Sequence, residues 1–256
     1  MIKAVSFDLW DTVIHDNSDE PKRAAQGLRS KNDERRYLAW EALNRNEPIP
    51  YETVALAYDV TEAAFNHVWQ DQHITWTVRE RLQVLLKGLG RTLPAEDFEA
   101  VVKGHEGMEI TVMPDLISGM NKTLAALSQR YRLGVVSDAV VTPGRHLRQW
   151  LEVHGLKQCF SAFAFSDEVG RAKPHPDIFA SAARQLGVDI TEMVHVGDRD
   201  HNDIKGPQSL GMKAVLFTVT RDRDKDMTSA DAICERSEDL PAIIDRLAAD
   251  HDSKEG

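Results

Sequence analysis

The sequence predicts an α/β protein in which a core of parallel strands is interrupted by an all-helical segment. Three observations lead to this prediction. The chain opens with an apolar run, Ile2 to Phe7, that ends at Asp8; only helical periodicity is found between Thr12 and Met113; and strand-like and helix-like segments alternate after Met113. Such alternation is typical of parallel strands joined by right-handed crossovers. The 256 residues, 42% of them hydrophobic, allow one large or two modest domains.

The first strand carries the most informative position. Asp8 stands where the apolar run ends and a turn begins, and open α/β sheets keep their chemistry at this end of the strands. An isolated strand followed by Asp is also typical of turn and helix-capping residues. A functional interpretation of Asp8 therefore needs support from later strand ends. A strand this early also leaves no room for a secretory signal.

The spacing of apolar residues between Thr12 and Met113 predicts several helices separated by breaks that contain proline or glycine. Helices are expected over residues 35–45, 51–70 and 77–89, with another that opens at Pro94 and runs through 102. The preceding stretch, 18–36, is rich in both charge signs and is expected to be mobile. His105 and Glu106, near the end of the segment, are expected at the surface.

After Met113 the periodicity alternates between strand and helix. Strands are expected over residues 132–137, 162–165, 193–196, 212–219 and 230–234. Helices are expected over residues 115–130, 143–154, 176–186 and 240–249, and Gly187 should end the third of these.

Three of these later segments carry polar residues beyond a strand. They are Ser137-Asp138 after an apolar pair, Gly170 to Pro174 with Lys173, and Gly197 to Asp203 with Asp198. Together with the Asp8 segment they resemble, in the same order, the four motifs of the haloacid dehalogenase-like hydrolase superfamily. The resemblance covers roughly residues 1–15 and 113–235. It implies a Rossmann-like parallel-sheet core, residues 1–15 and 113–256, with a small all-helical cap, residues 16–112, that closes over the site and reads the substrate.

The resemblance also implies a role for each matched residue. Asp8 is the expected carboxylate nucleophile, Ser137 the hydroxyl that donates to a substrate oxygen, and Lys173 the cation between nucleophile and substrate. Trp10 is expected beside the substrate together with Ser137 and Lys173. A hard cation and a lysine would neutralise the charge of a phosphoryl group under attack, and Mg²⁺ favours oxygen ligands. The Mg²⁺ site is assigned to Asp8, Trp10, Asp198 and Asp203.

One position departs from the phosphatases of this family. They carry a second Asp two residues after the nucleophile, as general acid and base, whereas this chain has Trp10. An indole N–H donates a hydrogen bond but does not exchange protons near neutral pH, and general acid–base catalysis contributes about 10²–10⁴ in rate. Three compensations stay open: Asp11, a cap residue such as His105 or Glu106, or a leaving group that needs no proton. Asp11 itself is expected to be a turn residue bonded to nearby backbone.

The predicted function is Mg²⁺-dependent hydrolysis of a small phosphorylated metabolite through an aspartyl-phosphate at Asp8. Two alternatives stay open. Family members that act on carbon–halogen bonds through an aspartyl ester have an aromatic residue at the position of Trp10, but they dispense with Mg²⁺. A binding protein that has lost turnover through Trp10 is the other alternative. Retention of Asp198 and Asp203 favours phosphoryl chemistry.

Composition limits the partners. The net charge of −10 argues against a nucleic-acid backbone or an anionic membrane, and no run approaches the ~18–20 apolar residues of a membrane span. Cys159 and Cys234 lie far apart without metal-like spacing, which indicates a reduced cytoplasmic compartment and inert thiols. The run from Arg221 to Asp226 alternates in sign and is expected to be a solvated loop. The oligomeric state is not predicted.

Overall fold

The computed structural model describes residues 1–255, with side chains described to residue 250. The chain divides into two compact units: the first comprises Met1–Asp16, Asp115–Asp138 and Leu151–Gly256, and the second comprises Asn17–Pro114 and Ala139–Trp150. The second unit thus takes in residues 139–150 as well as the inserted segment. Within residues 1–255 no helix is both long enough and apolar enough to span a bilayer.

The first unit is built on a single parallel sheet, as the alternating pattern predicts. Its six strands, counted over residues 1–255, are β1 (Ala4–Phe7), β2 (Arg132–Ser137), β3 (Phe160–Phe165), β4 (Met193–Gly197), β5 (Lys213–Phe217) and β6 (Ala232–Cys234). They lie in the order β3-β2-β1-β4-β5-β6, every neighbouring pair parallel. Phe7 is in register with Val135 and Val196. The polar residues that follow β1, β2 and β4 therefore emerge at one edge of the sheet.

Burial of the strands holds this edge in place. All four residues of β1 are buried, and so are all five of β4. Such near-continuous apolar runs are typical of strands covered on both faces. One buried cluster joins strand residues to the helix Pro176–Leu186 through Val136, Ala162, Ala164, Ile178, Phe179, Ala182 and Leu186. Each buried aliphatic or aromatic side chain contributes about 1.5–3 kcal/mol.

The helices follow the predictions closely where caps are strong. They span Asp19–Ala25, Lys31–Asn46, Tyr51–Gln72, Val78–Gly88, Ala95–Glu106, Met108–Thr111, Met120–Ser128, Gly144–Val153, Ser166–Val169, Pro176–Leu186, Gly206–Gln208 and Leu240–Glu255. The helix 176–186 is confirmed to the residue. The His175 ring accepts from the Asp177 N–H, Pro176 takes the first turn, and Gly187 ends the helix in the left-handed region.

One predicted helix starts too early. The segment 115–130 was expected to be helical throughout, but the helix begins only at Met120. Leu116 instead pairs with Ile14 through an isolated bridge, and Gly119 has a φ of +81° that interrupts helical backbone. Pairing with the segment after β1 takes precedence over local helix propensity here.

The second unit has its own apolar core. Buried residues from four helices form it, namely Ala39, Ala42, Leu43, Val54, Tyr58, Val78, Leu82, Leu85, Val101 and Val102. The expectation that residues 18–36 are mobile is wrong. Asp19 and Lys31 form a buried ion pair with Oδ1 and Nζ 2.9 Å apart, and Lys31 Nζ also lies 3.3 Å from Glu109 Oε1. Asp19 and Lys31 therefore contribute to the interior of the unit, whereas Arg29 and Asp33 of the same stretch are exposed.

His105 and Glu106 are likewise buried, so their predicted surface location is wrong. His105 Nδ1 lies 2.9 Å from the Val101 carbonyl, and its ring packs against Tyr58 with centroids 5.9 Å apart. Burial lowers the pKa of His105 to about 3. The Glu106 carboxylate is paired with Arg145. Both residues act in the packing of the second unit.

Candidate active site

Asp8 is held at the sheet edge from both sides. Its backbone N–H donates to the Val196 carbonyl at 2.9 Å, which continues the β1–β4 ladder by one residue. On the β2 side, Ser137 Oγ donates to Asp8 Oδ1 at 2.7 Å, and the Leu9 N–H donates to Ser137 Oγ at 3.4 Å. Ser137 therefore accepts a hydrogen bond from the Leu9 backbone, donates one to Asp8, and thereby fixes the orientation of the Asp8 carboxylate.

Lys173 completes the contacts of Asp8. Its Nζ lies 2.8 Å from Asp8 Oδ1 and 2.6 Å from Asp203 Oδ1, and all three side chains are buried. Burial by itself lowers the pKa of Lys173, but the two carboxylates outweigh it and raise the pKa above its ordinary value. Lys173 is therefore a permanent cation between two acids.

Asp203 ends a chain of buried hydrogen bonds that starts inside the sheet. Ser6 Oγ lies 2.9 Å from His195 Nδ1, and His195 Nε2 lies 3.1 Å from Asp203 Oδ1. A neutral His195 that donates from Nε2 and accepts at Nδ1 satisfies both contacts. Burial opposes ionisation of Asp203, but Lys173 and His195 overcome it and keep its pKa well below the usual range. The Arg199 N–H donates to Asp203 Oδ2 at 3.0 Å.

Steric crowding by Asp203 explains why a glycine, Gly197, precedes Asp198. A Cβ on Gly197 would lie 2.3 Å from Asp203 Cγ, which no side chain can accommodate. Residues 200–205 form a turn of π-helix that brings Asp203 back under Gly197. The Gly197-Asp198 pair of the sequence is thus what lets Asp203 approach the end of β4.

Asp198 differs from its neighbours because its carboxylate is not satisfied. It is almost fully buried, and among the described residues neither Oδ1 nor Oδ2 accepts a hydrogen bond. Burial, then the charges of Asp203 and Asp8, raise the pKa of Asp198 to about 8. One carboxylate oxygen from each of Asp8, Asp198 and Asp203 lies within 4.8 Å of the others. Buried carboxylate oxygens that accept no hydrogen bond fit a hard divalent cation.

Trp10 and Asp11 lie in the turn that follows Asp8. Trp10 is half-buried and pairs with Ile14 through an isolated bridge. Asp11 adopts a left-handed φ of +53°, and its Oδ1 accepts from the Asp16 N–H at 3.2 Å. The prediction that Asp11 is a turn residue bonded to nearby backbone is confirmed. Its carboxylate serves the turn.

Asp138 is a further acid at this edge of the sheet. It belongs to the same sequence motif as Ser137, but the motif predicts no role for it. Its Oδ1 accepts from the Lys173 N–H at 2.9 Å, so it positions the loop that carries Lys173. Burial raises the pKa of Asp138 to about 7 against the opposing charge of Lys173. His195 was not predicted as a site residue, because a histidine inside a buried strand belongs to no recognisable motif. Its contact with Asp203 is what identifies it as part of the site.

Comparison with known proteins tests the family resemblance. A family model described as haloacid dehalogenase-like hydrolase matches residues 2–211. The chain belongs to the haloacid dehalogenase-like hydrolase family. The family resemblance and the α/β fold predicted from the motifs are therefore confirmed, and the chain is a hydrolase of this family.

Curated relatives of this hydrolase carry phosphatase names. A glyceraldehyde 3-phosphate phosphatase of Pyrococcus abyssi is 29% identical over 221 residues, which cover 85% of this chain and 82% of that protein. A phosphoglycolate phosphatase of Escherichia coli O157:H7 is 28% identical over 258 residues, 94% of this chain and 92% of that protein. The crystal structure of a HAD phosphatase from Thermococcus onnurineus superposes with a TM-score of 0.61 at 23% identity, covering 95% of this chain and 98% of that one. The last likeness shows the fold.

Proposed function

We propose that this hydrolase is a Mg²⁺-dependent phosphatase of small phosphorylated metabolites that works through an aspartyl-phosphate on Asp8. The observation that carries the proposal is the Asp8 carboxylate, held by Ser137 and Lys173 at 2.7 and 2.8 Å beside the unsatisfied Asp198. The phosphatase names of relatives that align over most of the chain support the same class of reaction.

Asp8 is oriented for attack by one of its two oxygens. The contacts of Ser137 and Lys173 both go to Oδ1, so Oδ2 would be the oxygen that attacks phosphorus. Attack forms an Asp8–phosphorus bond as the bond from phosphorus to the leaving oxygen breaks. Water then attacks the same phosphorus, which releases inorganic phosphate and returns Asp8 as a carboxylate. The ammonium of Lys173 offsets negative charge on the phosphoryl oxygens throughout.

Asp8, Asp198 and Asp203 would hold the cation. Trp10 would join them only through its main-chain carbonyl, because the indole N–H is a donor without a free acceptor. Bound Mg²⁺ would supply charge neutralisation at the phosphoryl oxygens. The raised pKa of Asp198, about 8, reflects its burial first and then the charges of Asp203 and Asp8, and a divalent cation would offset both effects.

The residues considered as replacements for the missing general acid are all engaged in other contacts. Trp10 occupies the position of the missing acid, Asp11 is bonded to the Asp16 N–H, and His105 and Glu106 are buried in contacts of the second unit. Leaving groups that depart without a proton, as acyl and aryl phosphates do, are therefore the substrates that the site favours.

The carbon–halogen reaction remains the second candidate because of Trp10. In that reaction Asp8 would displace halide from carbon, and water would cleave the resulting ester at its carbonyl carbon. The three-acid group argues against it, since an ester mechanism has no use for a cation site.

A substrate screen with metal as the second variable separates the two reactions. Phosphate monoesters, an acyl phosphate and 2-haloacids are each incubated with the protein in Mg²⁺ and in excess chelator. We expect phosphate release only in Mg²⁺. Halide release that persists in chelator would replace the proposal with the second candidate, and phosphate release that persists in chelator would remove the metal from it.

A further inference from the structure

The loop between β5 and β6 (residues 218–231) is tied to the candidate active site, although its charge run was expected to be solvated. Arg221 and Asp224 are partly buried, with side chains 24% and 30% exposed. They form an ion pair in which Arg221 Nη1 lies 2.8 Å from Asp224 Oδ2. Arg223, between them in sequence, is exposed. The solvated-loop prediction is thus wrong for the two residues that point inward.

Several hydrogen bonds join this loop to the segment after β4. Arg221 Nη1 donates to the main-chain carbonyl of Asp198 at 2.7 Å. The Asp200 N–H donates to Asp224 Oδ2 at 3.1 Å. Thr228 Oγ1 donates to Asp200 Oδ1 at 2.7 Å, and Arg221 Nη1 lies 3.7 Å from Asp198 Oδ2. The backbone on both sides of Arg199 is therefore fastened to one arginine–aspartate pair.

The loop also reaches the turn after β1. Thr220 Oγ1 donates to the Asp11 carbonyl at 2.7 Å. Adjacent residues of one loop, Thr220 and Arg221, thereby hold the two turns that follow Asp8 and precede Asp203.

We propose that Arg221, oriented by Asp224, is a positioning residue that sets the Asp198 carboxylate for cation binding. The inference rests on the metal site of the proposed function. Arg221 makes its short contact with the Asp198 main chain, whereas its 3.7 Å separation from the carboxylate is too long for a hydrogen bond. The guanidinium therefore fixes the backbone without occupying the ligand oxygens.

Electrostatics alone would give the opposite effect. The positive charge of Arg221 would repel a Mg²⁺ ion bound at Asp198. If this repulsion dominated, removal of the Arg221 charge would tighten Mg²⁺ binding. Positioning predicts weaker binding, because outer partners that orient metal ligands are typically worth about 10–100-fold in metal affinity. The sign of the change thus separates the two effects.

The test measures Mg²⁺ binding by calorimetry in the absence of substrate. Arg221→Met and Asp224→Asn should each weaken Mg²⁺ binding about tenfold or more, and Arg221→Lys should recover part of the loss by donating to the Asp198 carbonyl. Arg223→Met, a matched change in the same loop, should bind as the unaltered protein does. Unchanged or tighter binding in Arg221→Met would overturn the proposal.

A second readout does not depend on the metal. In the metal-free protein, amide hydrogen exchange of Asp200 and its neighbours should be faster in Arg221→Met and Asp224→Asn than in Arg223→Met, because the acceptor of the Asp200 N–H is lost or misplaced. If the unaltered protein binds no Mg²⁺ but exchange responds in this way, the metal site of the proposed function fails, and only the hold of Arg221 on the Asp198 backbone is supported. Exchange equal in all variants overturns the positioning role.

Discussion

The Nζ atom of Lys173 lies 2.8 Å from Asp8 Oδ1, and both side chains are buried. The same Nζ lies 2.6 Å from Asp203 Oδ1. One ammonium therefore pairs with two carboxylates, while Asp198 and Asp138 add further acid close by. Loss of this cation would leave buried charges without a partner, which is among the costliest defects a folded protein can carry.

Lys173→Met should lower the free energy of unfolding by about 3–5 kcal/mol at pH 7, measured by urea denaturation. The raised pKa of Lys173 means that its contribution is fully present at pH 7 and is lost only as the pH rises through that pKa. The difference should shrink only as the pH falls toward the lowered pKa of Asp203, the carboxylate that the cation helps to keep ionised. Lys225→Met, at a solvent-accessible ion pair with Glu235, should change the free energy of unfolding far less. Equal stability of the two variants would contradict the role of Lys173.

Asp198→Asn should stabilise the metal-free protein and remove its response to Mg²⁺. The pKa of Asp198, about 8 when folded, lies above its unfolded value, so ionisation of Asp198 opposes folding increasingly as the pH rises from 4 to 8. The melting temperature of the variant should exceed that of the unaltered protein most at pH 8. Added Mg²⁺ should raise the melting temperature of the unaltered protein only. A Mg²⁺ response retained in Asp198→Asn would place the cation elsewhere; Asp222→Asn, at an exposed position, is the control.

Turnover should depend steeply on the leaving group because Trp10 supplies no proton. Acyl and aryl phosphates should react far faster than alkyl phosphates, by a margin on the order of the 10²–10⁴ that general acid catalysis contributes. Trp10→Asp should raise turnover of alkyl phosphates, whereas Trp10→Phe should not. A flat dependence on leaving-group pKa would show that another residue already acts as the acid.

His105 should make the second unit sensitive to acid. Burial holds its pKa near 3, below the unfolded value of about 6.5, so the unfolded chain alone gains a proton between these values and stability falls by up to about 1.4 kcal/mol per pH unit. His105→Gln should lose less stability than the unaltered protein between pH 7 and 5, measured by thermal unfolding. His67→Gln, at an exposed position, should leave that loss unchanged. An identical acid response in His105→Gln would mean that His105 is charged when folded.

Local signals explain why much of the fold was predictable. Strand β2 and the helix 176–186 have the predicted bounds, because an unbroken apolar run and a cap with Pro176 and Gly187 act within a few residues. The late start at Met120 was not predictable in the same way. It depends on a pairing between Leu116 and Ile14, a tertiary contact that no local periodicity contains.

The residues of the candidate site also separate into those that sequence motifs predict and those that only tertiary contacts reveal. Sequence motifs pointed to Asp8, Ser137, Lys173, Asp198 and Asp203, which the fold brings together at the sheet edge. His195 and Arg221 were missed, because their importance lies in contacts with Asp203 and with the Asp198 main chain. Charge patterning also misplaced Lys31, since it does not show which side chains will meet inside a fold.

Trapping of the phosphorylated enzyme tests the central claim most directly. The protein is mixed with an acyl phosphate carrying a labelled phosphoryl group, in Mg²⁺, and quenched in acid within milliseconds to seconds. We expect label on the peptide that contains Asp8, approaching one phosphoryl group per chain, since Trp10 provides no base for its hydrolysis. Asp8→Asn should carry no label and show no turnover. Turnover without label on Asp8, or turnover retained in Asp8→Asn, would contradict covalent catalysis at this residue.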